Sequence, residues 1–475
     1  MLDFFAIGTL LLVTAIASCS RSAALKLTPC TGPGLESEAR CATYEVFEDR
    51  AAARGRWIPL RVLVLPATGT PVAADPLVFF AGGPGDGIIE SAPHAAHTYA
   101  EVRAHRDLVF VDLRGTGESA ALSCPELMRS QGFLDDFLPL DGVRSCRQRL
   151  AQHADLGQYN TANAVDDLAE VLTALGYQLV NVHGASYGTR SAMELVRRHP
   201  ERVRTATLIG VVPPDSRNPL TFARDAQAAL DATFAECAAD PACAAAFPDS
   251  RGELASVLAR VERQPVTVEV MPPGATAPLL LRLDRAGVAQ TVRYMLYQSS
   301  AAAELPLAIH SAAVGEFRPL AEMAALFAGE ATQTADGLFL SVLCAEDQPF
   351  IDEGEVAAAV AGTFLGDFRV RAQERACAAW DVPPIAATKL ESVSSPVPAL
   401  VISGERDPVT PARWGDQVSR TLPNARHLVV PAKGCTRAAG YGAPKGSAKA
   451  GILPAIRLGV SRLVPPPQMV HGVHP

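Results

Sequence analysis

Short apolar runs recur along the chain, each closed by Gly, Pro or charged residues, with amphipathic stretches between them. The runs predict strands at 40–46, 57–65, 75–80, 106–112, 177–182, 203–212, 398–403 and 426–430. Helices are expected near 95–104, over 161–175, from 191 to 198 and over 412–422. The second of these is the clearest: Ala164, Val165, Leu168, Val171, Leu172 and Leu175 keep close to a 3.6-residue period. Asn160 or Thr161 caps it and Gly176 stops it. Strands this apolar, alternating with helices, predict a mostly parallel sheet covered on both faces. The pattern changes between 215 and 387, where Ala-rich helical segments dominate at 220–238, 252–261, 283–296, 305–313 and 319–327. This region reads as a helical insertion over the C-terminal edge of the strands, where α/β folds keep their sites. The expected organisation is a leader at 1–19, core at 20–214, insertion at 215–387, core again at 388–431 and an atypical tail at 432–475.

Composition narrows the class. The chain has 475 residues, enough for one large core, and its formal charge of −8 argues against nucleic acid as a partner. No zinc-type Cys/His spacing and no phosphate-binding glycine motif occurs where a cofactor would need it, so neither metal nor organic cofactor is expected. The apolar run at 4–17 is short for a membrane span and suits an export signal, so no transmembrane helix is expected in the mature chain. Ile16-Ala-Ser-Cys19 looks like a bacterial lipobox, which would place a lipid anchor on Cys19 of an exported protein, periplasmic or extracellular. Ten cysteines in an exported chain call for pairing. Cys237 with Cys243 forms a local loop, and Cys30 with Cys41, Cys124 with Cys146, and Cys344 with Cys377 fit by spacing and neighbourhood, though sequence does not fix connectivity. With Cys19 lipidated, Cys435 is left over.

The chemistry centres on Gly184-Ala-Ser-Tyr-Gly188, a G-x-S-x-G between an apolar strand and a helix. That context makes a nucleophile elbow, with Ser186 raised at the helix N-terminus. Two more loops follow strands of the same sheet. Ala81-Gly-Gly-Pro-Gly85 can aim the Gly83 N–H inward, and with the Tyr187 N–H it would form an oxyanion hole. Asp407, beyond the strand at 398–403, stands in chain order where the acid of a Ser/Asp/His triad belongs.

These motifs, in this order, resemble the α/β-hydrolase superfamily, and within it the secreted tripeptidyl-aminopeptidase-like branch of the proline iminopeptidase family. The resemblance runs from Cys30 to Pro431, with a TAP-like C-terminal region. It is carried by Ala81-Gly-Gly-Pro-Gly85 (Ala81 standing in place of the family's histidine), Asp112-Leu-Arg-Gly-Thr-Gly-Glu-Ser119, Gly184-Ala-Ser-Tyr-Gly-Thr189, Leu343-Cys-Ala-Glu-Asp347 and Gly404-Glu-Arg-Asp-Pro-Val-Thr-Pro411. It implies an eight-stranded, mostly parallel sheet with a mainly helical cap after the sixth strand. It further implies that cap-side carboxylates, Glu346 and Asp347 here, hold a peptide's α-ammonium. Asp112, Arg114 and Glu118 are expected to tie their loop down through ion pairs.

One part is missing. The resemblance puts the general base, a histidine, just after the last strand, where this chain has Lys433-Gly434-Cys435. A thiol does not relay a proton between a serine and an aspartate as imidazole does. His427 lies too early, His183 precedes the elbow on its own strand, and His471 and His474 would need the tail to return across the sheet edge. His471 is the leading substitute. The expectation is therefore a serine-type, aminopeptidase-like hydrolase acting on short peptides or small acyl substrates. The alternatives are a carboxylesterase or lipase-like enzyme, and a catalytically impaired binding protein that kept the cleft and lost the base.

Overall fold

The computed structural model describes residues 24–32, 34–35, 39–127, 137–271, 276–330, 334–431 and 434. The strands are β1 (Thr28–Pro29), β2 (Arg40–Phe47), β3 (Trp57–Leu65), β4 (Leu77–Phe80), β5 (Leu108–Val111), β6 (Val180–Ala185), β7 (Val203–Ile209), β8 (Val266–Val270), β9 (Leu279–Leu283), β10 (Ala399–Gly404) and β11 (Ala425–Val430). Nine of them form one sheet in the order β1-β2-β3-β5-β4-β6-β7-β10-β11. From β5 through β4, β6, β7 and β10 to β11 every pairing is parallel, while β3 runs antiparallel to both its neighbours. Without the two-residue edge strand β1, this is the expected eight-stranded sheet with the cap entering after the sixth strand: an α/β-hydrolase fold.

The central strands β4, β5, β6 and β10 are buried at every position, which is why they read as unbroken apolar runs. Helices α1 (Thr161–Ala174) and α2 (Tyr187–Arg198) pack side by side over them. The Asn160 side chain accepts the Asn163 N–H and caps α1, as its sequence predicts.

The cap has its own core, built by α3 (Phe222–Ala239), α4 (Ser250–Arg263), α5 (Arg285–Met295), α6 (Leu305–Ala313) and α7 (Arg318–Glu330). Within it β8 and β9 pair as an antiparallel hairpin where only helix and loop were expected. The alternation in Val-Thr-Val-Glu-Val is its signal in the sequence. A further helix, α8 (Phe368–Trp380), returns the chain to the core, pinned by the Cys344–Cys377 disulfide and by Trp380 Nε1 donating to Ser341 Oγ at 3.1 Å. The other three expected bridges, Cys30–Cys41, Cys124–Cys146 and Cys237–Cys243, are also formed.

The loop after β5 is held as expected in kind, with different partners. Asp112 accepts the backbone N–H groups of Ile88, Ile89 and Glu118. Arg114, wholly buried, clamps Asp167 of α1 in a two-pronged pair at 2.6 and 2.9 Å and donates to the carbonyls of Glu48 and Gln158. Glu118 pairs instead with Arg61. Breaking a buried pair costs ~3–5 kcal/mol, and because Arg50 also reaches Asp167 the lower end applies. Urea unfolding of Arg114→Met should therefore show a loss of about 3 kcal/mol, and Glu118→Gln should show almost none.

Candidate active site

Ser186 stands between β6 and α2 at φ 53°, ψ −125°, a conformation that costs a non-glycine residue ~1–3 kcal/mol. Three bonds hold it there. Its N–H donates to Ile209 O on β7 at 2.9 Å, and its carbonyl accepts both the N–H and the hydroxyl of Thr189 at 2.9 and 2.7 Å. The two flanking glycines make the crossing possible. A methyl on Gly184 would lie 2.4 Å from Gly188 O, and one on Gly188 would lie 2.5 Å from the carbonyls of both Phe80 and Ala81.

That contact brings the loop after β4 to the serine. A methyl on Gly82 would stand 3.6 Å from Ser186 Cβ. Gly83 at φ +98° and Gly85 at φ +113° let this loop turn, and it is backed by Ala335 N–H donating to Gly85 O and Thr334 Oγ1 donating to Asp86 Oδ1. The Tyr187 N–H opens α2, among the amides that have no acceptor inside their own helix. The loop carrying Gly83 and the helix start carrying Tyr187 thus flank Ser186, as the sequence suggests.

Asp407 follows β10, two strands along from β6 at the same edge of the sheet. Its carboxylate is buried and accepts the N–H groups of Val409 and Thr410 and the Thr410 hydroxyl, at 2.7 to 2.9 Å. Beyond β11 the chain reaches Gly434, packed on Leu296 and Tyr297 of the cap. Cys435, His471 and His474 lie outside the described residues, as do Cys19 and the expected leader.

Four of the described histidines are engaged elsewhere. His183 is bonded through Nε2 to the Tyr99 hydroxyl at 2.7 Å, and burial pushes its pKa down to about 4, so it is neutral at physiological pH. His427 sits between Asp416 and Ser403, with 2.9 Å on each side, and Ser403 is fully buried inside β10. His199 pairs with Asp166 and His310 with Glu253.

Glu346 and Asp347 are buried inside an internal network. Glu346 accepts the Thr161 N–H and hydroxyl, both at 2.7 Å, and Asp347 accepts Arg190 at 2.7 Å. Burial raises Asp347 to about 6 in spite of Arg190. The Thr161 hydroxyl in turn contacts the hydroxyl of Tyr187, so this network reaches the residue next to the serine. A carboxylate that sequence reasoning missed, Asp336, starts the helix Asp336–Val342 just after the residues backing the Gly85 loop. Burial alone raises it to about 7. Among the described residues, the cluster of metal-ligand type, Cys124, Glu126 and Cys146, has its sulfurs joined in a disulfide. No helix of the described residues is long and apolar enough to cross a membrane.

Sheet order and elbow together define an α/β-hydrolase fold. A family model of the alpha/beta hydrolase fold matches residues 75–246, and one described as TAP-like protein matches 363–444. Serine protease Hip1 of Mycobacterium tuberculosis is 26% identical over 438 residues, spanning 83% of this chain and 82% of that protein. Tripeptidyl aminopeptidase of Streptomyces lividans is 27% identical over 208 residues, 40% of this chain and 38% of its own. The crystal structure of proline iminopeptidase from Mycobacterium smegmatis covers 83% of this chain and 92% of its own at 17% identity and a TM-score of 0.37, too distant to add to the topology.

Two outcomes follow from this geometry. Gly188→Ala should push the elbow off the Phe80–Ala81 backbone, and labelling by a fluorophosphonate probe should fall at least ~10²-fold below that of the parent protein, the scale set by a misplaced reacting group. Asp336 is raised above its unfolded value near 3.9, so its stabilising effect is full below pH ~4 and lost as pH rises through 7. Asp336→Asn should thus match the parent at pH 4 and exceed it by about 1–3 kcal/mol at pH 8, measured by urea unfolding.

Proposed function

We propose that this chain is an exported serine hydrolase of the peptidase type, removing residues or short peptides from the free amino end of peptides. The observation that carries the reading is Ser186 at positive φ beside the Gly82–Gly85 loop. In this reading Ser186 Oγ attacks the scissile carbonyl, the N–H groups of Gly83 and Tyr187 take the oxyanion, and Asp407 orients the base. The amine leaves with a proton, and water then releases the acyl group from Ser186. Each oxyanion donor contributes ~3 kcal/mol in the transition state. The name of the Streptomyces relative supports amino-end cleavage. Glu346 and Asp347 would bind the substrate ammonium through lone pairs not taken by Thr161 and Arg190. Four disulfides suit an oxidising compartment, and lipid on Cys19 belongs to the same reading. Intact mass of the mature protein checks it: a start at Cys19 with added acyl mass is expected, and a start at Met1 with reduced cysteines overturns export.

Cys435 favours a second reading, in which the cleft persists and turnover is severely reduced. Loss of an essential triad member costs ~10⁴ or more in turnover. Restoring the base by Cys435→His should raise hydrolysis of free-amine peptides by orders of magnitude, and adding Ser186→Ala should abolish the gain. In the restored protein Glu346→Gln should weaken cleavage of free-amine peptides and leave N-blocked peptides and aryl esters unaffected. High activity in the parent, untouched by Cys435→Ala and lost on changing His471, overturns the assignment of the lost base. Equal cleavage of blocked and free peptides overturns amino-end specificity in favour of a general esterase or peptidase.

A further inference from the structure

Two buried arginines have no carboxylate partner among the described residues. Arg293 on α5 and Arg369 on α8 are 1% and 5% exposed, and among the described residues neither forms an ion pair. Arg293 Nε and Arg369 Nε and Nη1 have no hydrogen-bond partner. Each arginine has a companion on the same helix face: Gln290, three residues before Arg293, and Gln373, four after Arg369. Both glutamines are 1% exposed, and Gln290 Nε2 and Oε1 and Gln373 Oε1 are also unpartnered. Two helices therefore turn buried, unsatisfied polar faces into one region.

Aromatic rings show that the arginines share it. The Arg293 guanidinium lies 4.5 Å from the Phe222 ring centre, and Arg369 lies 5.8 Å from the same ring and 3.5 Å from that of Phe137. Rings over a guanidinium face attract its charge but accept none of its in-plane N–H bonds. Burial and the neighbouring Arg293 lower Arg369 to about 10, so it is still charged at neutral pH. Arg369 hydrogen-bonds the Tyr294 hydroxyl, which brings no formal charge and leaves Nε and Nη1 unpartnered.

Contacts of adjacent residues tie this cluster to the segments around Ser186 and Asp407. Leu296 and Tyr297, one turn beyond Arg293, carry Gly434, next to Cys435. Arg413, a few residues after Asp407, pairs with Asp225, one turn beyond Phe222. Phe137 meets Phe339 edge-on in the helix that starts behind the Gly85 loop. The Cys344–Cys377 bridge fastens α8, two turns past Arg369, to the segment of Glu346 and Asp347.

We propose that Arg293 and Arg369, flanked by Gln290 and Gln373, form a carboxylate-binding subsite between cap and core that holds an acidic group of the substrate. A planar carboxylate fits the in-plane fork of a guanidinium, and the rings of Phe222 and Phe137 offer an apolar bed for the group bearing it. The carboxylate comes from a peptide's C-terminus or from an acidic side chain, and in assigning it to a peptide the inference rests on the peptidase reading above.

The subsite itself is tested without turnover. Thermal unfolding of the full chain is followed with benzoate, with benzamide and with chloride at matched ionic strength. A ligand that binds the folded state raises Tm. Benzoate alone should raise it, and the shift should vanish in Arg369→Gln and in Arg293→Gln. No shift with benzoate, or an equal shift with benzamide, overturns the proposal. The comparison within the parent protein stands even if a variant fails to fold. Isothermal titration of Ser186→Ala with a free-acid tetrapeptide, its C-terminal amide and an amide carrying one glutamate then identifies the source. Binding at least ~10-fold weaker for the plain amide, abolished as a difference by Arg369→Gln, supports a carboxylate of either kind. Recovery by the glutamate peptide assigns the side chain, and no recovery assigns the C-terminus. A benzoate shift with no peptide binding keeps the subsite and sinks the peptidase reading.

Discussion

The candidate active site depends on two backbone segments passing closer than side chains allow. Gly188 lies against the carbonyls of Phe80 and Ala81, and Gly184 against Gly188 itself. The crossing fixes the turn at Ser186, and the same contact carries the Gly82–Gly85 loop to the serine. The strain at Ser186 persists because β7 and Thr189 both bond its backbone. Further out, Arg114 and Asp167 join the loop after β5 to α1, so the rigid platform below the elbow rests on a buried charge pair.

The parts of the fold legible in the sequence were those in which one physical signal dominated. The central strands are buried on both faces and read as unbroken apolar runs, and the elbow combines such a run with two glycines. Helix α8 is hidden in the sequence for a definite reason. Its buried face mixes Val370, Ala372, Ala376 and Trp380 with Arg369 and Gln373, so polarity no longer reports exposure there. The helix Leu140–Leu150 hides its inner face likewise, with Gly142 and Cys146 beside Val143 and Leu150. The β8–β9 hairpin was masked by the Ala-rich helices around it.

The site was legible by residue and less so by partner. Ser186, the glycine loop and Asp407 fall at strand ends on one edge, as motif order implied. Arg114 was expected to tie its loop down through an ion pair, and its partner, Asp167, lies more than fifty residues away in sequence, where no local pattern points to it. Glu346 and Asp347 were expected, from the resemblance, to hold a substrate ammonium, and spacing carries no information about the contacts that Thr161 and Arg190 also make with them. Asp336 belongs to no motif, and only its burial beside the Gly85 loop distinguishes it.

The Asp416–His427–Ser403 chain has a consequence for how active sites on this fold are recognised. It has the atoms of a proton relay in the right order, with 2.9 Å on both sides of the imidazole. A template that scores only distances among serine, histidine and aspartate would settle on Ser403. Yet that hydroxyl lies within a strand, sealed by Gly415 of the neighbouring helix, where even a methyl would meet both His427 and Ser403. No acyl group can approach it. What marks Ser186 is accessibility forced by backbone conformation, and a search for hydrolases of this shape is better keyed to the serine's φ than to its neighbours.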